Sequence, residues 1–453
     1  PMTQTYDLIV RGGEVANHAG RGMADVGVID GKIAFIGDLS QASAGEVFDA
    51  GGLTVLPGVI DTQVHFREPG LEWKEDLETG SRAAALGGVV AVFEMPNTNP
   101  NTTDSDTMAD KLARARDRMW TDHAFYVGGT HENADHLGEL ERLPGCCGVK
   151  VFMGASTGNM LVDNPETLDG IFRETPVPII THCEDTPTID ALLAKFRAEY
   201  GDDIPAECHP DIRSREACIA STRLALELAR RHDTRLHVLH ISTADELALF
   251  ERGPLVDADG RVRKRITAET CVHFLHFARP DYARLGHQIK CNPAIKDVAD
   301  RDALRRAIAD DVIDVLATDH APHTWEEKQQ TYLRAPSGLP LVQFALSAAL
   351  ERVHEGHFDI ATVVRKFAHA PAQLFNVRER GFLREGYWAD LVMVEDIPFR
   401  VRREQVLSKC GWSPFEGTTF RSRVASTWVN GTLAWDGERI TGAPAGQRLE
   451  FAR

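Results

Sequence analysis

No Cys-x-x-Cys pair occurs in the 453 residues, although eight cysteines are present. Zinc ribbons and thioredoxin-type redox sites are built on that spacing, so both are excluded. Cys146, Cys147, Cys183, Cys208, Cys218, Cys271, Cys291 and Cys410 are expected to be reduced and mostly buried thiols. Also missing are an apolar run of about 18 residues and a basic leader with an apolar core. The reading is a soluble, untargeted, cytoplasmic chain with no membrane partner. Basic charge is scarce as well: 50 Lys and Arg face 67 Asp and Glu, a formal net charge of −17. No long basic run offsets it, which argues against a nucleic-acid partner. A small anionic ligand would need local arginine or lysine.

Both ends of the chain read as strands and tight turns. Near the start, Tyr6–Val10 precedes Arg11-Gly12-Gly13, read as a turn, and Val26–Ile29 precedes Asp30-Gly31. Near the end, 389–394, 424–429 and 433–435 are strand-like, with Asn430-Gly431 between the last two. Asp-Gly or Asn-Gly between apolar runs is a strong hairpin signal. Neither piece is long enough for its own core, so 1–56 and 376–453 are expected to pair into one small β-sandwich domain. Between them, 57–375 alternates apolar β runs with helical stretches such as 214–230 and 299–309. That alternation predicts a parallel α/β fold, and the strand count approaches the eight of a (β/α)8 TIM-type barrel.

The polar residues with metal-binding chemistry fall at predicted strand ends, the face on which such barrels build active sites. Gln63 and His65 follow the first barrel strand. Lys150 interrupts the apolar run Gly148-Val149-Lys150-Val151-Phe152. His182 follows Ile179-Ile180-Thr181, His240 follows Val238-Leu239, and Asp319 follows Leu316-Ala317-Thr318. One strand-end histidine is usually a satisfied polar residue. Several such positions on separate strands point to a shared site. A lysine within a strand loses hydration, which lowers its pKa and favours the neutral amine.

The segment Asp61-Thr62-Gln63-Val64-His65-Phe66-Arg67-Glu68-Pro69-Gly70 resembles the Asp-x-His-x-His-Phe-Arg-x-Pro-Gly pattern of the amidohydrolase superfamily. Its Phe-Arg-x-Pro-Gly tail is similar to the dihydroorotase branch. Met95-Pro96-Asn97-Thr98, Thr318-Asp319-His320-Ala321-Pro322-His323 and the lysine strand extend the resemblance from Tyr6 to Val429. It implies two divalent metal ions, zinc foremost, bridged by Lys150 carboxylated to a carbamate. His65 and Asp319 would hold the more exposed ion, and His182 and His240 the more buried one. Asp319 would also act as catalytic base and acid. Arg67, Asn97, Asn292, His323 and Gly338 would contact a small cyclic amide carrying a carboxylate. Self-association into a homo-oligomer is expected by the same resemblance.

Gln63 stands where the pattern has its first histidine. An amide oxygen is a weaker donor than imidazole for zinc, so Gln63 either ligates through that oxygen, holds a water that completes the site, or leaves the position thinly occupied; two metals with one weakened position is the expectation. Three functions follow from the resemblance. The first is dihydroorotase activity in pyrimidine biosynthesis. The second is a hydantoinase or allantoinase activity, which needs no arginine for a substrate carboxylate. The third is a metal-poor homologue that stabilises a partner such as aspartate transcarbamoylase.

Overall fold

Local turn chemistry accounts for the hairpins. The computed structural model describes residues 5–154 and 158–453. In it, β1 (Thr5–Asn17), β2 (Gly20–Ile29), β3 (Lys32–Gly37), β4 (Ser43–Asp49) and β5 (Thr54–Pro57) open the chain. Asp30 and Gly31 join β2 to β3 with φ of 51° and 76°. Left-handed geometry at both central positions matches the twist of the flanking strands. At Arg11-Gly12-Gly13 the expectation was wrong. β1 runs straight through, with a bulge in its pairing to β2 between Val10 and Gly13. Gly12 takes φ 77° and donates its N–H to Asp25 Oδ1 at 2.8 Å. The glycines therefore serve a bulge, where β1 also exchanges β4 for β5 as its other neighbour.

Eight parallel strands follow: β6 (Val59–Val64), β7 (Val89–Glu94), β8 (Asp122–Gly128), β9 (Cys146–Phe152), β10 (Ile179–His182), β11 (Leu236–Val238), β12 (Ile266–Cys271) and β13 (Val315–Ala317). Each pairs with the next in chain order. The two ends meet through Val64 and His320, where the His65 N–H donates to the His320 carbonyl at 2.7 Å. Asp61 adds to this seam by accepting the Thr318 N–H at 3.1 Å and the Thr318 hydroxyl. The result is a (β/α)8 barrel. Several strands are shorter or shifted relative to the apolar runs; β11, for instance, stops at Val238 and leaves His240 beyond its end. The predicted helices sit close to expectation, at Arg215–His232 and Val298–Ala309. Ser214 caps the first by accepting the Ala217 N–H, and Asp233 ends it at φ 52°.

After the barrel come β14 (Leu391–Glu395), a short ribbon of β15 (Phe399–Arg400) and β16 (Thr419–Phe420), β17 (Arg423–Val429) and β18 (Thr432–Trp435). Strands from both chain ends form one hydrogen-bonded sheet ordered β18-β17-β14-β5-β1-β2-β3, with β4 on β1. Phe48 of β4 meets Trp428 of β17 edge to face at 5.3 Å, although these strands are not neighbours in the sheet. The sheet therefore folds over itself to enclose a core that includes Val10, Val28, Val55, Leu391 and Met393. All eight cysteines are free and seven are buried. Among the described residues no helix is long and apolar enough to cross a membrane.

Candidate active site

At the C-terminal ends of the barrel strands lies a small, mostly polar cavity. Its wall brings together Gln63, His65, Arg67, Asn97, Lys150, His182, His240, Asn292, Asp319 and Gly338, ten of the eleven residues expected from sequence. The eleventh, His323, stands behind Arg67. Gln63 belongs to β6, Lys150 to β9, and His182 ends β10. Arg67, His240 and Asp319 follow strands at φ 66°, 40° and 55°. Left-handed backbone is uncommon for residues with side chains, and it persists where surrounding structure fixes it.

The imidazoles and carboxylates come in two pairs. His182 Nδ1 lies 2.9 Å from His240 Nε2. His182 Nε2 is held by Glu184 Oε1 at 2.9 Å, and Arg213 anchors that glutamate at 3.0 Å. A carboxylate on Nε2 fixes the proton there and leaves the Nδ1 lone pair to the cavity. The second pair joins His65 Nε2 to Asp319 Oδ1 at 3.2 Å. His65 Nδ1 contacts Asn97 Oδ1 at 2.9 Å, and Gln63 Nε2 donates to the same Asp319 oxygen at 3.0 Å. Burial pushes His65, His182 and His240 below the ordinary imidazole range, which favours the neutral ring at all three. Burial also holds the Asp319 carboxyl well above its usual range, opposed by the Lys150 charge.

Lys150 is 1 % exposed. Its Nζ lies 4.6 Å over the Phe152 ring and makes no hydrogen bond among the described residues. Desolvation pulls its pKa down to about 8, against the charges of Asp319 and Glu269. Among the described residues no three His, Cys, Asp or Glu side chains are grouped to hold an ion. The donor chemistry suits a divalent cation, but either pair needs a further ligand. The Lys150 amine, in the same cavity lining and able to take up carbon dioxide as a two-oxygen anion, fits that need.

Arg67 is 2 % exposed and faces the cavity. Its Nε donates to the Pro322 carbonyl at 3.0 Å, and Nη2 lies 3.2 Å from His323 Nε2. Nη1 has no hydrogen bond, and the guanidinium has no ion-pair partner, among the described residues. Burial lowers its pKa to about 10. His323 is fully engaged: Nε2 also meets the Ser337 carbonyl at 2.9 Å, and Nδ1 meets Lys74 Nζ at 2.8 Å. With Lys74 donating to Nδ1, the Nε2 proton goes to the Ser337 carbonyl, so the Arg67 contact is a close approach of two donors and the Pro322 carbonyl is what anchors the guanidinium. Gly338, at φ 147°, admits no side chain, since a Cβ would meet the Ala321 carbonyl oxygen at 2.3 Å.

Sequence reasoning missed several supports. Glu269 accepts from Thr62 Oγ1 at 3.0 Å and from the His240 N–H at 3.4 Å. Glu184 orients His182 as described. His273 lines the cavity with both ring nitrogens unpartnered. Glu184 could have been found from its spacing, two residues beyond His182; His273 carried no comparable signal.

A closed parallel barrel whose mouth gathers imidazoles, a buried lysine and an aspartate has the acid–base groups of a hydrolytic site. Known proteins narrow that class. The model of the amidohydrolase family matches residues 54–434. An allantoinase of Bacillus velezensis is 32 % identical over 443 residues, covering 96 % of this chain and 95 % of its own length. A dihydroorotase of Halobacterium salinarum is 35 % identical over 408 residues, covering 89 % and 92 %. An L-hydantoinase structure from Arthrobacter aurescens superimposes with a TM-score of 0.91 at 28 % identity, over 98 % of this chain and 99 % of that one. The chain belongs to the amidohydrolase family, and within it is a cyclic amidohydrolase of the hydantoinase, dihydroorotase and allantoinase type.

Proposed function

We propose that this chain is a dihydroorotase, interconverting dihydroorotate and N-carbamoyl-L-aspartate in pyrimidine biosynthesis. One observation carries the choice among the three activities: Arg67 is a buried guanidinium facing the cavity with no ion-pair partner among the described residues. A buried charge without a partner is costly, and a substrate carboxylate offsets that cost. The ring of dihydroorotate carries a carboxylate; hydantoin and allantoin do not.

His182, His240 and carboxylated Lys150 would hold a divalent metal, with His65 and Asp319 beside it and zinc the best match to these donors. Bound there, it would lower the pKa of water and polarise the ring carbonyl. Asp319 takes a proton at Oδ and returns it to the departing amide nitrogen. Arg67 grips the carboxylate through its uncommitted Nη1, and Asn97 and Asn292 orient the ring. The Pro322 carbonyl holds the guanidinium through Nε. The test is turnover of dihydroorotate, hydantoin and allantoin by zinc-loaded protein. Preference for dihydroorotate supports the assignment; preference for a neutral ring moves it to the hydantoinase or allantoinase side, in line with the allantoinase relatives. Absence of turnover on all three would favour the partner-scaffold reading.

A further inference from the structure

Resting on the reading of this cavity as a metal-dependent hydrolytic site, we infer that it takes one divalent cation tightly, at His182, His240 and Lys150, while Gln63 serves as a positioning residue that holds Asp319. The two donor pairs differ in what they offer. At the first, Glu184 fixes the His182 proton on Nε2, so Nδ1 presents its lone pair 2.9 Å from His240 Nε2. Two nitrogens on one tetrahedral zinc lie roughly 3.3 Å apart, from bonds of about 2.0–2.1 Å. A few tenths of an ångström of movement would let both donate.

The second pair is different. Asp319 Oδ1 already accepts the Gln63 Nε2–H at 3.0 Å, and His65 Nε2 lies 3.2 Å from the same oxygen. Gln63 turns a proton donor toward this position, and a proton donor cannot ligate a cation. Its oxygen points instead to Cys271 Sγ, 3.8 Å away. Turning the amide over would set its oxygen against the Asp319 carboxylate and break the N–H bond to it. The orientation in place is therefore the one the surroundings favour. Gln63 is 1 % exposed, so losing the Asp319 partner of its amide would be costly. In this arrangement the amide fixes the carboxylate that moves the proton.

The test is metal content. Apo protein is loaded with Co2+ or Zn2+ in the presence of bicarbonate, passed through a desalting column and counted by elemental mass spectrometry, with the Co2+ visible spectrum recorded. One equivalent is expected for the native chain and close to two for Gln63→His. His65→Ala should keep its one equivalent and the native Co2+ spectrum, whereas His240→Ala should lose it. Native protein retaining two equivalents would overturn the inference, as would an ion lost in His65→Ala and kept in His240→Ala. The two readings fail separately: one bound ion without turnover of any cyclic amide sinks the proposed function alone, and two ions with turnover sink this inference alone.

Discussion

Replacing Arg67 by methionine isolates the charge on which the substrate assignment stands. Methionine keeps much of the apolar stem and removes the guanidinium. In the native cavity a bound carboxylate would pair with a cation held by the Pro322 carbonyl. Losing one partner of a desolvated charge pair costs 2–5 kcal/mol. The cavity is open on one side, so roughly 2–4 kcal/mol is the expected range, a fall in kcat/KM for dihydroorotate of about 30- to 1000-fold. The same substitution strips the Pro322 carbonyl of its donor, which costs folding stability of about 1–3 kcal/mol. A general loosening of the site would slow every substrate, so the informative quantity is a ratio. Steady-state kinetics on dihydroorotate and on a neutral ring such as hydantoin should show the first collapsing and the second changing less than about tenfold. Equal losses on both rings would refute the pairing of Arg67 with a carboxylate, and an unchanged rate on dihydroorotate would refute it outright.

Other substitutions probe the remaining parts. Asp319→Asn should abolish turnover while the bound metal, counted by elemental analysis, stays at the native level; a fully active variant removes the proton-transfer role. Labelled carbon dioxide should appear as a carbamate signal in carbon NMR of the native protein and vanish in Lys150→Ala. Carbamate formation consumes the neutral amine and releases a proton, so with the amine pKa at about 8 the signal in metal-free protein at fixed dissolved carbon dioxide should shrink about a hundredfold per unit below that pH. A pH-independent signal would contradict this. Gly338→Ala, at φ 147° with a backbone oxygen 2.3 Å from the new Cβ, should deform the cavity rim and raise KM at least several-fold; unchanged kinetics would show the rim to be pliable. Trp428→Ala should destabilise the small β domain by about 3–5 kcal/mol in urea unfolding, since this side chain is 1 % exposed and packs on Phe48. A loss below about 1 kcal/mol would mean that the domain core does not depend on it.

The parts of this molecule that could be read from sequence are those in which one residue's chemistry decides the outcome. Asp30-Gly31 and Asn430-Gly431 specify their turns because both central positions take left-handed φ. Gly12-Gly13 defeated the same reasoning: a glycine pair serves a bulge as readily as a turn, and the choice depends on Asp25, across the sheet, accepting the Gly12 N–H. At the cavity, His65, Lys150, His182, His240 and Asp319 were found because each closes or interrupts an apolar run. Glu184, Glu269 and His273 were not, because their importance lies in partners or in the absence of partners. Glu269, for example, meets Thr62 and His240, which lie 207 and 29 positions away.

His323 and Gln63 show how far residue type alone falls short. A histidine in Thr-Asp-His-Ala-Pro-His reads as a substrate contact, yet Lys74 and the Ser337 carbonyl occupy its two nitrogens and it is not part of the cavity lining. For Gln63 the sequence shows that an imidazole is missing and stops there. Whether the amide offers a lone pair or a proton depends on which of its ends faces Asp319, and that follows from a carboxylate on one side and the Cys271 thiol on the other. Since Asp319 attracts N–H and repels oxygen, a glutamine at this position leaves the aspartate better held and the metal position beside it poorer. The substitution therefore reads as a shift of work from metal to protein at one half of the cavity, compatible with a site that still performs hydrolysis.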